Sequence, residues 1–318
     1  MNSSSIHKKE VPSLYALKAV CALFVVIIHY PFTYLHITHP ITAIAVPCFY
    51  MITGYFLNAG DIGGQIQRAF RWSRKACILT LFVNAAYMAL YYVIFSKTYT
   101  WEQWARSFVI GDDISCHLWY LSSLWQSLLI LVLILKFKPS IVAYLPLLLL
   151  HNIAKGYCSH LFGIEQSFFL YYPPIFAALP YLALGYIIRF HEALITHKSK
   201  LLFSLFGCFL LFSYAEHSSL SCIIGENYCS PLFSTPFLSL AVFLLSLAYR
   251  AYGGRYICHI GKYHSANIYY MHMAVGTLIV TFSSKFLHVG CYKFLIIYAA
   301  SLLLSYFFGR AALLFKKA

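Results

Sequence analysis

Apolar residues run through this chain in long blocks, and charged positions gather in the connections between them. A helix rises 1.5 Å per residue, so about 20 apolar residues cross the hydrocarbon core of a bilayer. On that measure the pattern predicts helices over roughly 13–36, 41–58, 76–95, 117–136, 139–153, 166–189, 200–216, 231–250, 265–284 and 291–309. The fifth, within SIVAYLPLLLLHNI, is short for a span. The expected fold is therefore all-α: a polytopic transmembrane bundle of about ten helices. No polar stretch is long enough to fold separately, so residues 1–318 read as a single membrane domain, with 1–12 as a short cytoplasmic tail. No internal repeat is evident, which leaves the chain without the inverted-repeat signature of many transporters.

The charges orient this bundle. Cytoplasmic connections carry an excess of Lys and Arg. With the N-terminus inside, eighteen of the 23 basic residues fall on the cytoplasmic side, and only Lys97, Arg106, Lys155, Lys285 and Lys293 fall outside. The alternation supports an even helix count with both termini in the cytoplasm. A chain that is 61% hydrophobic and only 10% charged cannot cover a soluble surface. Its net charge of +14 does not indicate nucleic acid, because the basic residues sit at the ends of apolar runs and form no continuous patch. The ten cysteines lie mostly inside apolar runs, where a thiol acts as a small hydrophobe. Cys222 and Cys229 share a predicted outer loop and would pair in an oxidising compartment; no C-x-x-C pattern occurs, and no metal site is expected. The outer loop 96–116 carries Trp101, Glu102, Trp104, Asp112 and Asp113, with the tryptophans read as interfacial anchors.

Ionisable residues inside a membrane are costly and mark functional sites. His29, in ALKAVCALFVVIIHYPF, lies well beyond the cytoplasmic end of the first helix, and no Asp or Glu occupies the central part of any predicted span. That absence counts against a carboxylate proton relay. An imidazole is available as a base, since its unperturbed pKa is about 6.5. Lys18 precedes His29 by eleven residues, about three turns and roughly 16 Å, so the two share a face. Such a pair suits an elongated anionic cofactor reaching in from the cytoplasm; a snorkelling lysine and a packing histidine fit the spacing equally. Arg68, Arg71 and Arg74 recur every three residues along one side of a helix. Three guanidinium groups in line suit a diphosphate, although a positive-inside anchor is also basic. No cysteine or serine in the sequence is visibly paired with His29 as a nucleophile.

From Lys18 to Leu57 the chain resembles the opening of the acyltransferase 3 family of integral membrane acyltransferases. A basic residue is followed after ten residues by His29, and VPCFYMITGYFL is similar to that family's Val-Pro-x-Phe-Phe-x-x-Ser-Gly-Tyr pattern. Arg71-x-x-Arg74, HLWYL at His117 to Leu121, FAALPYLALGY before Arg189 and IGKYHSANIYYMH from Ile260 to His272 follow in family order. Departures are Lys18 where arginine is commoner, Thr53 for the usual serine, and Ala76-Cys77 where a proline often comes.

The resemblance implies an O-acetyltransferase type of enzyme in a bacterial cytoplasmic membrane. Its co-substrate is acetyl-CoA or another acyl-CoA, with no permanently bound cofactor. Lys18, Arg68, Arg71 and Arg74 are expected to bind the donor, and His29 to act as general base on a hydroxyl of a carbohydrate or lipid-linked glycan. Direct transfer is favoured, with an acyl-histidine intermediate as the alternative. His117 and Trp119 on the fourth helix and Asn267 and His272 on the ninth are candidate acceptor-binding residues, with polar interhelical bonds as their structural alternative. The expected partners are the bilayer and polysaccharide-assembly proteins. A transporter of a glycan or anionic solute is the competing reading, and a sensor or scaffold a third.

Overall fold

The computed structural model describes residues 10–31, 35–111, 114–137, 140–158, 161–162, 173–194, 199–225, 231–283 and 292–315. Every regular element among them is a helix. We number the α-helices α1 (Pro12–His29), α2 (Leu35–Thr42), α3 (Ala45–Leu57), α4 (Ile62–Phe95), α5 (Trp101–Val109), α6 (Trp119–Phe137), α7 (Pro146–Asn152), α8 (Leu179–Phe190), α9 (Ser199–Ile224), α10 (Thr235–Ala248), α11 (Arg255–His259), α12 (Ser265–Ser283) and α13 (Lys293–Phe315). Short π-helical stretches extend α7 at Ile153–Cys158, lead into α8 at Pro174–Ala178, and join α11 to α12 at Ile260–His264. Among the described residues five stretches are individually long and apolar enough to cross a bilayer: Pro12–His29, Ile37–Leu57, Ile62–Phe95, Trp119–Phe137 and Ser199–Ile224. The protein is a helical membrane protein.

Each predicted segment is helical where it is described, but several boundaries move. The first span stops at His29 because Pro31 follows: a residue before proline is pushed out of the α region, and Tyr30 sits at φ −134, ψ 68. His29 is thus the last residue of α1 and not a mid-helix residue. The third span is the distal part of a 34-residue helix whose near end carries Arg68, Arg71 and Arg74; Asp61 caps it by accepting from the Gly64 N–H. The fifth span is broken into a 3-10 turn at Ile141–Tyr144, α7 and a π-helical stretch. Residues 166–172 of the sixth lie outside the described residues. Part of the predicted outer loop after α4 is a helix: α5 begins in a capping box, with the Gln103 N–H donating to Thr100 and the Thr100 N–H to the Gln103 side chain.

The seventh span continues past its predicted end at residue 216 to Ile224, which places Glu216 inside α9. This corrects the expectation of carboxylate-free spans only in part, for Glu216 is already occupied. It accepts from the backbone N–H groups of Phe233 at 2.6 Å and Ser234 at 2.8 Å, just ahead of α10, and from the Tyr157 hydroxyl. The N–H groups there would otherwise lack partners, and the positive end of α10 favours the anion.

Helix association in lipid relies on close backbone approach through small residues and on polar bonds between helices. Gly54 of α3 and Gly185 of α8 show the first device: a Cβ on Gly54 would lie 2.0 Å from the Leu182 carbonyl oxygen, and one on Gly185 2.0 Å from that of Met51. The small positions of the TGY and LGY motifs therefore form one reciprocal contact. Ser73 donates to the Trp125 carbonyl at 2.7 Å, and Ser107 to Asn84 at 2.6 Å, tying α4 to α6 and to α5. The Pro12 end of α1 is held by the later chain: Ser13 N–H donates to Arg250 O, Cys258 Sγ–H to Pro12 O, and Gly261 packs directly on the α1 backbone.

Candidate active site

Three histidines from three separate segments meet at the far end of α1. His29 ends that helix, His272 lies in α12, and His117 lies in the turn of residues 114–118 that leads into α6. The ring centroids of His29 and His272 are 5.2 Å apart, those of His117 and His272 5.0 Å, and those of His29 and His117 6.3 Å. The turn carrying His117 folds against the start of α6 because Gly111 adopts φ +92, and a Cβ there would lie 2.1 Å from Trp119 Cα.

His272 is fully buried and its Nδ1 faces the Tyr269 carbonyl oxygen at 2.7 Å. A carbonyl only accepts, so Nδ1 carries hydrogen and, in the neutral ring, Nε2 presents a lone pair. His117 is also buried, with Nδ1 2.9 Å from Ser115 Oγ, its carbonyl accepting from the Tyr269 hydroxyl, and its ring edge-on to Tyr87. The Nε2 atoms of both His117 and His272 make no hydrogen bond. Tyr87 in turn accepts from the Ala274 N–H at 3.0 Å and donates to the Tyr270 carbonyl at 2.8 Å, holding α12 in place beside the cluster.

His29 Nδ1 lies 3.8 Å from the Sγ of Cys116. No such pairing was visible in the sequence: the two residues are 87 positions apart and meet only through the fold. Cys116 is exposed and lines an open cleft of about 490 Å³ with Tyr30, Tyr91, Lys97, Gly276 and Thr277 among its walls. Gly276 makes room for the Tyr30 ring, since a Cβ there would lie 2.0 Å from the Tyr30 hydroxyl. Tyr30, Cys116 and Ser115 were not singled out by sequence; a tyrosine and a proline directly after His29, and a Ser-Cys-His run, are the signals that point to them.

The other candidate residues are placed differently. Trp119 begins α6 and packs against the hydrophobic core. Asn267 donates to Ser305 Oγ at 2.9 Å, a contact between α12 and α13 in which His264 also takes part. Neither makes a side-chain contact with the histidine cluster among the described residues. Among the described residues no group of three His, Cys, Asp or Glu side chains is disposed to hold a metal ion.

At the opposite end of α1 the basic residues divide by partner. Arg68 donates through Nη1 to the carbonyls of Leu57 at 2.7 Å and Ala59 at 3.0 Å, closing the C-terminus of α3. Arg189 and Arg250 both pair with Glu192, and Lys262 with Glu10 at 2.5 Å. That pairing raises the Lys262 pKa through the hydrogen bond from Lys262 to Glu10. Lys18, half-buried on α1, and Arg71 and Arg74, exposed on α4, have no hydrogen-bond or ion-pair partner among the described residues. A step of three residues turns a helix by about 300°, so the three arginines spread over about 120° of one side of α4. Arg68 meets α3 while the other two stay outside.

A helical membrane protein with a buried imidazole cluster beside an open cleft is the class that fold and site define. The model of the acyltransferase 3 family, described as an acyltransferase domain, matches residues 11–310, nearly the whole chain. The chain belongs to that family and is a membrane acyltransferase. No curated protein and no solved structure gives a significant match.

Proposed function

We propose that this protein transfers an acyl group, most simply acetyl, from cytoplasmic acyl-CoA to a hydroxyl of a carbohydrate presented at the outer face of a bacterial cytoplasmic membrane. The observation that carries the reading is the convergence of His29, His117 and His272 beside the cleft, at the end of α1 opposite Lys18. With the N-terminus inside, Lys18, Arg71 and Arg74 lie at the cytoplasmic side, where their uncompensated charge suits the phosphates of coenzyme A. Over its 18 residues α1 spans about 27 Å, a distance that an extended pantetheine arm must bridge in part to bring its thioester toward His29. The cleft opens at the other end, beside Lys97, and its tyrosines, threonines and lysine offer the mixture of flat rings and hydroxyls that sugars bind. His29 there takes a proton as general base during acyl transfer. Trp119, Asn267 and Arg68 have supporting roles in this reading.

The test is mass spectrometry of surface glycan from cells expressing wild type or His29→Ala at equal levels. Acyl groups present with wild type and absent with the variant are expected. Equal acylation in both removes His29 from the chemistry, and glycan export lost without any acyl change replaces the reading with transport.

A further inference from the structure

This inference rests on the acyl-transfer reading and concerns the route the acyl group takes. Cys116 is exposed, lines the cleft and lies 3.8 Å from His29 Nδ1, close enough for the S–H to donate when that nitrogen bears the lone pair. It sits in a turn and beside a base. The second observation is independent of the thiol. His117 and His272, 1% and 0% exposed, bring two Nε2 atoms without hydrogen-bond partners to the same cluster. These two nitrogens, beside the thiol and its base, give an arriving acyl group or hydroxyl polar neighbours that no other residue occupies. Ser115, Cys116 and Tyr30 line the cleft, and the imidazoles lie behind them.

We propose that Cys116 is an acyl carrier, receiving the group from coenzyme A and passing it to the acceptor hydroxyl. His29 Nδ1 takes the S–H proton, and Sγ attacks the carbonyl carbon of the donor thioester. The carbon–sulfur bond to coenzyme A breaks, and the coenzyme A thiolate leaves with the proton from His29. In the second half, the acceptor O–H gives its proton to His29 while its oxygen attacks the Cys116 thioester. Sγ departs as thiolate and regains the proton from His29. The first half exchanges one thioester for another and is nearly balanced in energy, whereas forming the oxygen ester makes the second half favourable. Burial pushes the Cys116 thiol up, so its proton passes to His29 as Sγ attacks, with histidine as the base to a cysteine nucleophile. With Ser115 donating to its Nδ1, His117 carries hydrogen on Nε2 and can donate to the carbonyl oxygen of the acyl group, whereas the Nε2 lone pair of neutral His272 can only accept, as from a substrate hydroxyl.

The experiment uses the full-length protein in proteoliposomes with acetyl-CoA and isotopically labelled coenzyme A, in the absence of acceptor. An acyl-enzyme exchanges label between the two; direct transfer does not. Expected results are exchange by wild type, a hydroxylamine-labile acetyl group on the peptide containing Cys116, and a fall in both exchange and glycan acylation of more than about 100-fold in Cys116→Ala and Cys116→Ser. Melting temperature of each variant in detergent checks its fold, and the wild-type exchange and adduct decide the matter if neither variant is stable. Exchange that persists in Cys116→Ala moves the acyl group to another residue and overturns the proposal. Glycan acylation by a wild type that shows no exchange overturns it too, while leaving the enzyme an acyltransferase. A wild type with neither activity overturns both readings together.

Discussion

Replacing Gly261 by alanine tests whether the packing of α1 against the stretch before α12 sets the geometry of the histidines. An added Cβ would lie 1.7 Å from the Tyr15 carbonyl oxygen and 3.1 Å from the Ala19 amide nitrogen, both backbone atoms. Neither can rotate away, and Cβ contacts below 3.0 Å essentially do not occur, so the two segments must separate by more than about 1 Å. Overpacking of this kind costs about 1–3 kcal/mol. With an unfolding entropy of about 2.1 cal/mol/K per residue, that is a fall of roughly 2–5 °C in melting temperature. The consequence for function is larger. Gly261 and His272 belong to one nearly continuous helical run, and Tyr15 and His29 to another, so the displacement at the contact is carried toward rings now 5.2 Å apart. A misplacement of about 1 Å at a reacting centre can lower a rate by about 100-fold. Thermal unfolding in detergent and glycan acylation would be measured beside Gly207→Ala, whose Cβ meets nothing within 4 Å. Wild-type melting and acylation in Gly261→Ala would refute the argument that this contact positions His29 against His272.

Four further outcomes are expected. His29→Gln lowers acyl transfer by about 100-fold or more while leaving the melting temperature within error of wild type; a purified variant with near-normal turnover shows that His29 is not the base. Arg71→Ala and Arg74→Ala each weaken coenzyme A binding by roughly 10-fold at low salt, measured by titration calorimetry in detergent, and unchanged affinity in the double variant takes the phosphate role from both. Arg68→Ala behaves differently: leaving the Leu57 and Ala59 carbonyls without their donor costs about 1–3 kcal/mol of stability, read as a lowered melting temperature. Glu216→Gln sets an amide donor against the Phe233 and Ser234 N–H groups or leaves one of them unpaired, again at about 1–3 kcal/mol, and an unchanged melting curve removes the capping role.

Much of this protein was legible without coordinates because its strongest signals are local. Hydrophobic blocks about as long as a bilayer is thick define the helical segments, and the 3.6-residue period aligns Lys18 with His29 along α1. His117 and His272 were marked by the family motifs that hold them, whereas the stop at Pro31 that makes His29 terminal was read through by a span predicted to residue 36. Which polar residues meet was a matter for tertiary structure alone. The same chemistry that made Arg68 a phosphate candidate serves the carbonyls ending α3, and Asn267 turns to Ser305 instead of the cluster. The pairing of Cys116 with His29 crosses 87 positions, and that of Gly54 with the α8 backbone well over a hundred. Hydropathy and helical phase are properties of neighbouring residues, so the chain alone determines its helices and their polar positions. Convergence depends on how closely distant backbones approach, and that is decided by the small residues at each crossing and by the bonds that close only once the helices have packed.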